Sequence, residues 1–177
     1  MATSAKVFGF NEFGLRFPSA VFGIIAILFA YLIAREITKD RTSAFWAGLF
    51  AILMPLFMAA ARNVRMDIPV SAMILSAVYF FLLGLQKPVY LIGIGISIGL
   101  GIMFKSVIGL LALPIILIWA LTMRKWGWVK SRFLYIGAVA GLIIVAPWHI
   151  YESVKFGSAF WKDYLGYHIF DRYTQNI

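Results

Sequence analysis

The chain has 177 residues, of which 63% are hydrophobic and 13% charged, with a mean hydropathy of +0.91 and a formal net charge of +9. A water-soluble domain is about half apolar and a quarter charged, so this composition excludes an ordinary soluble fold and makes a bilayer the natural solvent. The absence of cysteine excludes disulfides, thiolate metal sites and cysteine nucleophiles. In chain order, residues 1–16 form a short polar stretch without the apolar core of a cleavable signal. Six apolar runs follow, at 17–34, 42–61, 68–86, 88–104, 106–123 and 133–151. Each approaches the ~20 residues that span a bilayer as a helix. Sustained strand-like alternation is lacking, which argues against a β-barrel. The expected fold class is therefore all-α: a polytopic membrane protein of about six transmembrane helices, a single membrane domain over 1–177. Residues 152–177 are expected to begin a loop on the outer face. Both ends read as cut, so the chain is expected to be a fragment lacking an earlier helix.

The basic residues lie mostly at the ends of apolar runs, so topology and anionic headgroups account for the positive charge without nucleic acid as a partner. One set of alternate loops holds Arg35, Lys39, Arg41, Lys87, Arg124, Lys125, Lys130 and Arg132. The opposite set holds Arg62, Arg65 and Lys105. Eight against three puts the first set on the cytoplasmic side of an inner (plasma) membrane. Both termini, ARNVRMD and Lys105 then lie outside, facing periplasm or extracellular space.

Charges on the face that topology disfavours are candidates for function. Asp67 precedes Ile68-Pro69 and has two readings: a cap for the free amides of a helix start, or a fixed carboxylate at the rim of an outward site. Arg62 and Arg65 are three apart and would share a helical face, either clamping a phosphate or carboxylate or snorkelling to headgroups. Lys105, in GLGIMFKSVIGLL, sits in a very short turn and reaches headgroups or an aqueous cavity. The preceding GIGISIGLG lacks the strand-to-helix context of a phosphate loop; Gly95 and Gly99 fit close helix packing instead. Beyond Pro147, where the last span is expected to end, the tail interleaves Trp148, Tyr151, Phe156, Phe160, Trp161, Tyr164, Tyr167, Phe170 and Tyr173 with charges. This is the composition of an interfacial segment. His168 and Arg172 are four apart and would share a face, with His168 either interfacial or a metal ligand. His149 is expected to be structural.

Four landmarks stand in order: FGFNEFGLRFPSAVFG, ARNVRMDIPVSA, GLGIMFKSVIGLLALP, and APWHIYESVKFG followed by YHIFDRY. Together they resemble the bacterial members of the protein O-mannosyltransferase superfamily, a group that includes the aminoarabinose transferases acting on lipid A. The resemblance implies a GT-C glycosyltransferase. Such an enzyme moves a sugar from a polyprenyl-phosphate donor to a lipid, glycan or protein acceptor on the outer face, with inversion. The usual base, an aspartate in the first outer loop, would lie upstream of Lys6, so the 177 residues alone are expected to be inactive. By the same resemblance, Arg16 matches the arginine opening the family's second helix and Asp67 an acidic residue before its fourth. Lys105 matches the lysine of the pattern TKG, from which Phe104 and Ser106 both depart. His168 and Arg172 resemble a histidine and an arginine that serve metal and lipid-phosphate binding in some relatives. Arg16, Arg62, Arg65, Lys105 and Arg172 are thus the expected lipid-phosphate or substrate contacts, and Asp67 a supporting carboxylate. A divalent metal is the one cofactor implied, and His168 alone cannot hold it. The partners implied are the lipid-linked sugar, its acceptor and membrane lipids. A transporter is the competing reading, and it calls for ionisable residues near the midplane of several spans, which are almost lacking here. A non-catalytic membrane assembly protein, its charges anchoring helix ends, is the other.

Overall fold

The computed structural model describes residues 2–162 and 164, and among these all regular structure is helical. A short helix, α1 (Ala2–Phe8), turns at Gly9 into α2 (Glu12–Thr38), whose start is capped by Asn11 accepting from the Gly14 amide at 2.7 Å. Pro18 lies inside α2 and has no N–H to give the Gly14 carbonyl four residues back. The Ser4 hydroxyl donates to that carbonyl at 2.5 Å instead, so the group that proline leaves free is what ties α1 to α2. Asp40 caps α3 (Arg41–Leu53) by accepting from the Ser43 amide and hydroxyl, each at 2.7 Å.

The run expected at 42–61 is not one straight helix. It breaks at Met54, and α4 (Pro55–Arg62) leaves at 64° to α3. Proline at the first helical position disfavours helical geometry in the residue before it, and Met54 accordingly adopts φ −69°, ψ 113°. After α5 (Asp67–Gly84), a 3-10 turn (Pro88–Leu91) leads into α6 (Ile92–Lys105), and a second (Ser106–Leu111) into α7 (Ala112–Met123). A third (Gly127–Lys130) precedes α8 (Arg132–Phe156) and the short α9 (Ser158–Trp161). The expectation that the last span ends near Pro147 is corrected: α8 continues through Pro147 to Phe156.

Among the described residues, four helical stretches are long and apolar enough to cross a membrane: Glu12–Thr38, Asp67–Gly84, Pro88–Thr122 and Arg132–Phe156; the bent α3–α4 pair makes a fifth. The 35-residue stretch is not one crossing. Eight residues along a continuous helix separate two positions by about 12 Å. Yet a Cβ on Gly109 would stand 2.4 Å from the carbonyl carbon of Gly101. The chain reverses at Lys105 (φ −150°, ψ 51°) and Ser106 (φ 50°, ψ −136°), so α6 and α7 are two antiparallel passes. The chain is thus a multi-pass, all-α membrane protein.

Contacts fix which helix ends lie together. A Cβ on Gly23 of α2 would stand 3.9 Å from Ile68 Cγ2 of α5, and further along Phe29 meets Tyr79 at 5.7 Å between ring centroids, so α2 and α5 run side by side in the same direction. At one end, Glu36 accepts from both Lys39 and Gln86, and Phe81 packs edge-on against Trp119 (5.4 Å) and Trp128 (5.2 Å). Phe81, Leu91, Ile94, Ile116 and Ala120 form the buried core there. Midway, the Ser76 hydroxyl donates to the Met73 carbonyl at 2.9 Å, which leaves Ser97 as the donor in the 2.7 Å bond between Ser76 and Ser97. The α6–α8 contact is glycine on glycine. A Cβ on Gly95 would fall 1.9 Å from the Gly137 carbonyl oxygen, and one on Gly99 would fall 2.9 Å from that of Gly141. The order of these contacts makes α6 and α8 parallel, so the end of α8 lies at the same end of the molecule as Lys105.

Candidate functional site at the Lys105 end of the helices

The first residue of α5 and the last of α6 meet. The Lys105 ammonium donates to Oδ1 of Asp67 in an ion pair that joins the two helices across 38 residues of sequence. Of the two readings of Asp67, the cap is not the one seen: its carboxylate is engaged by Lys105 instead. Its carboxylate makes no capping bond, and Asp67 is itself the first helical residue rather than the one before it. Only its backbone carbonyl is otherwise engaged, accepting from the Ser71 hydroxyl at 2.7 Å. The side chains of Lys105 and Asp67 are 35% and 44% exposed. At that exposure an ion pair contributes about 0–1 kcal/mol, too little to lock either group. Asp67 therefore orients Lys105 without locking it.

Local backbone chemistry explains the placement of Lys105. Ser106 holds φ 50°, ψ −136°, a region that glycine occupies without penalty and that costs other residues ~1–3 kcal/mol. This kink permits α6 to stop at the lysine and the chain to turn back at once. The short turn expected at Lys105 is present, and the departure from glycine at Ser106 is where the backbone is strained.

Arg62 and Arg65 lie at the same end, both exposed, with no ion pair or hydrogen bond among the described residues. Their sharing of a helical face is corrected. α4 ends at Arg62, and Asn63 (φ −99°, ψ 158°) breaks it, its side-chain Nδ2 donating to the Ala59 carbonyl at 2.8 Å. Arg16 stands one turn into α2 and pairs with Glu12 at 3.3 Å rather than with Asp67. His168 and Arg172 lie outside the described residues. No group of three or more His, Asp or Glu able to hold a metal occurs among the described residues.

Two further features have contacts that the sequence did not specify. His149 lies within α8, its Nδ1 against the Val145 carbonyl (2.9 Å) and its Nε2 against the Tyr164 hydroxyl (3.0 Å). Its ring packs on Trp148, Phe160, Trp161 and Tyr164 at centroid distances of 4.8–6.5 Å. This is the structural role expected, now with its partners. The second feature is a pair of buried hydroxyls, on Ser19 and Ser106, without partners among the described residues.

The architecture defines a polytopic α-helical membrane protein, with the Lys105–Asp67 pair at one end of its helices. Residues 1–151 match the model of the family described as dolichyl-phosphate-mannose-protein mannosyltransferase. The chain belongs to that family. It is 29% identical to the undecaprenyl phosphate-alpha-4-amino-4-deoxy-L-arabinose arabinosyl transferase 2 of Pseudomonas fluorescens over 93% of this chain and 30% of that protein. It is 23% identical to the corresponding transferase of an Enterobacter species over 98% of this chain and 32% of that protein. The crystal structure of ArnT from Cupriavidus metallidurans in the apo state superposes with a TM-score of 0.78 at 24% identity, over 92% of this chain and 31% of that one. The fold is thus shared with that GT-C protein, and the chain spans about a third of the length of the relatives it matches.

Proposed function

We propose that the chain forms the donor-phosphate end of a membrane glycosyltransferase that takes its sugar from a polyprenyl phosphate. The observation that carries this is the Lys105–Asp67 pair, set beside Arg62 and Arg65 at one end of the helices. Breaking a sugar–phosphate bond leaves negative charge on the phosphate, and a preorganised cation aimed there stabilises the transition state. Lys105 is that cation and Asp67 its positioning carboxylate; Arg62 and Arg65 recruit the anion. Arg16 and Arg172 serve the same end in this reading. The names of the relatives support undecaprenyl phosphate as the lipid carrier. Transfer would be a single inverting displacement, with a base outside the described residues activating the acceptor on the outer face of the inner membrane.

The test is binding by the chain in nanodiscs. Undecaprenyl phosphate should bind and undecaprenol should not. Lys105→Met should weaken binding by about 10–100-fold, the loss of one charge-assisted hydrogen bond of ~1.5–3 kcal/mol. Equal binding of the phosphate and the alcohol would overturn the proposal.

A further inference from the structure

The sequence holds no carboxylate side chain between Asp67 and Glu152, a stretch that carries six lysines and arginines. Lys105 stands at one end of the helices. The other five, Lys87, Arg124, Lys125, Lys130 and Arg132, stand at the opposite end, all exposed, and none is in an ion pair among the described residues. They come from two separate connections, yet one hydrophobic cluster gathers them. Leu85 and Leu91, on either side of Lys87, pack against it, and so do Trp128 and Phe133, which bracket Lys130 and Arg132. The Trp128 indole N–H donates to the Lys125 carbonyl at 3.0 Å and closes the turn that carries Lys125. The Arg132 guanidinium lies 5.0 Å from the centroid of the Phe133 ring. A Cβ on Gly137 would stand 2.9 Å from the Leu91 carbonyl oxygen. From that contact, Lys87 is four residues back along a 3-10 turn and Arg132 five residues back along α8, about 8 Å in each case. Since α6 and α8 run parallel, the two cations stand at one level. The neighbouring α2–α3 connection differs: its Arg35, Lys39 and Arg41 are offset by Glu36, which accepts from Lys39, and by Asp40.

We infer that these five cations form a binding surface for the headgroup of an anionic phospholipid, at the end of the molecule away from Lys105. The inference is independent of the donor-phosphate reading. Arg124 caps the end of α7 and Arg132 opens α8, so the surface lies where two spans leave the hydrocarbon, at headgroup depth. Tyr90 and Trp126 are exposed in the same two connections, as aromatic side chains at a bilayer interface are. An acidic soluble partner has no use for that apolar rim, whereas the glycerol and upper acyl chain of a lipid do. The bias of basic loops toward one side explains the sign of the charge there. It does not gather cations from two loops around one core cluster, nor keep carboxylates out of both.

The test is lipid binding by the purified chain in dodecyl maltoside micelles, where membrane orientation no longer matters, read by native mass spectrometry. Dioleoyl phosphatidylglycerol should bind at least tenfold more tightly than dioleoyl phosphatidylcholine. Lys87→Gln/Lys125→Gln/Lys130→Gln should weaken phosphatidylglycerol binding by about 10–100-fold. Arg35→Gln/Lys39→Gln/Arg41→Gln, which removes the same charge from the other connection, should weaken it by less than fivefold. Equal binding of the two lipids overturns the inference, and so does a first triple variant within twofold of the wild type. Equal losses in the two triple variants would make the attraction one of net charge alone and would also overturn it. Should the first triple variant lose its helical circular dichroism, Lys125→Gln and Lys130→Gln, each at an exposed side chain, decide the matter: about three- to fivefold weaker binding in each supports the surface, and no loss in either removes it. Inorganic phosphate separates the sources. It should displace the lipid no better than sodium chloride at equal ionic strength; stronger displacement would reassign the surface to a free anion.

Discussion

Lys105 is held between two opposing demands. The proposed role needs it near a defined point, toward which the Asp67 carboxylate orients it, and able to change partner, which the partial exposure of the pair allows. Asp67→Asn should therefore change unfolding stability by less than about 1 kcal/mol while weakening undecaprenyl phosphate binding. A large stability loss with unchanged binding would make the pair a structural staple. Ser106 carries the opposite balance. Its φ of 50° is strained for a residue with a Cβ, so Ser106→Gly should raise unfolding stability by about 1 kcal/mol, measured by denaturant titration in detergent. Away from the site, Asp40 is held below the usual carboxylate range, chiefly by the Ser43 amide and then by the Ser43 hydroxyl. A carboxyl whose folded value is lowered contributes stability above its unfolded value of 3.8, and loses it as pH falls through the lowered one. Amide exchange in the first turn of α3 should stay protected through pH 4 and open only below it; Asp40→Ala should open it at every pH. Of the charged residues singled out in the sequence, Asp67 and Lys105 were legible as charges at helix ends, Lys105 alone between two apolar runs and Asp67 closing the stretch ARNVRMD. Their pairing was not, because 38 residues separate them and only the packing of α5 on α6 closes the gap.

At the scale of elements, hydrophobic run length marked the apolar stretches, but not their shape. Composition registers Pro55 as one more apolar residue; its missing N–H turns the second span into two helices at 64°. Pro147 misleads in the other direction, since α8 passes through it without ending. The Gly95–Gly99 spacing correctly signalled close packing. The partner surface, Gly137 and Gly141, became visible only when α8 was seen running parallel to α6. Backbone contact of this kind leaves no room for a methyl group. Gly95→Ala should destabilise the chain by about 1–3 kcal/mol, whereas Gly127→Ala, with open space around it, should stay within about 0.5 kcal/mol. Equal effects of the two would contradict the α6–α8 interface. α1 was missed altogether. Seven residues with a weak pattern carry little signal, and the Ser4 bond to the Gly14 carbonyl depends on Pro18 ten residues further on than Ser4's own helix.

For the whole molecule, the alternation of basic loops and the geometry agree on which loops share an end. Gln86 meets Glu36 at one end, and Lys105 meets Asp67 at the other. The reversal at Lys105–Ser106 makes a firm demand on topology: Lys87 and Gly127 must lie on one side of the bilayer, and Asn63 and Ser158 on the other. The chain has no cysteine, so single cysteines at these positions can be labelled by impermeant reagent from either side of a sealed vesicle. A single crossing from 88 to 122 would instead separate Lys87 from Gly127. The family was legible in the order of four weak motifs, each too short to carry it alone, because ordered spacing constrains more than any one motif does.

The central claim is that a lipid phosphate sits on Lys105. The direct measurement is solid-state NMR of the chain with lysine side-chain nitrogen-15 and bound undecaprenyl phosphate in nanodiscs, reading nitrogen–phosphorus dipolar coupling. One lysine signal should be dephased by phosphorus, and it should disappear in Lys105→Met. Absence of any coupled lysine, or a coupled signal that survives the substitution, would contradict the account.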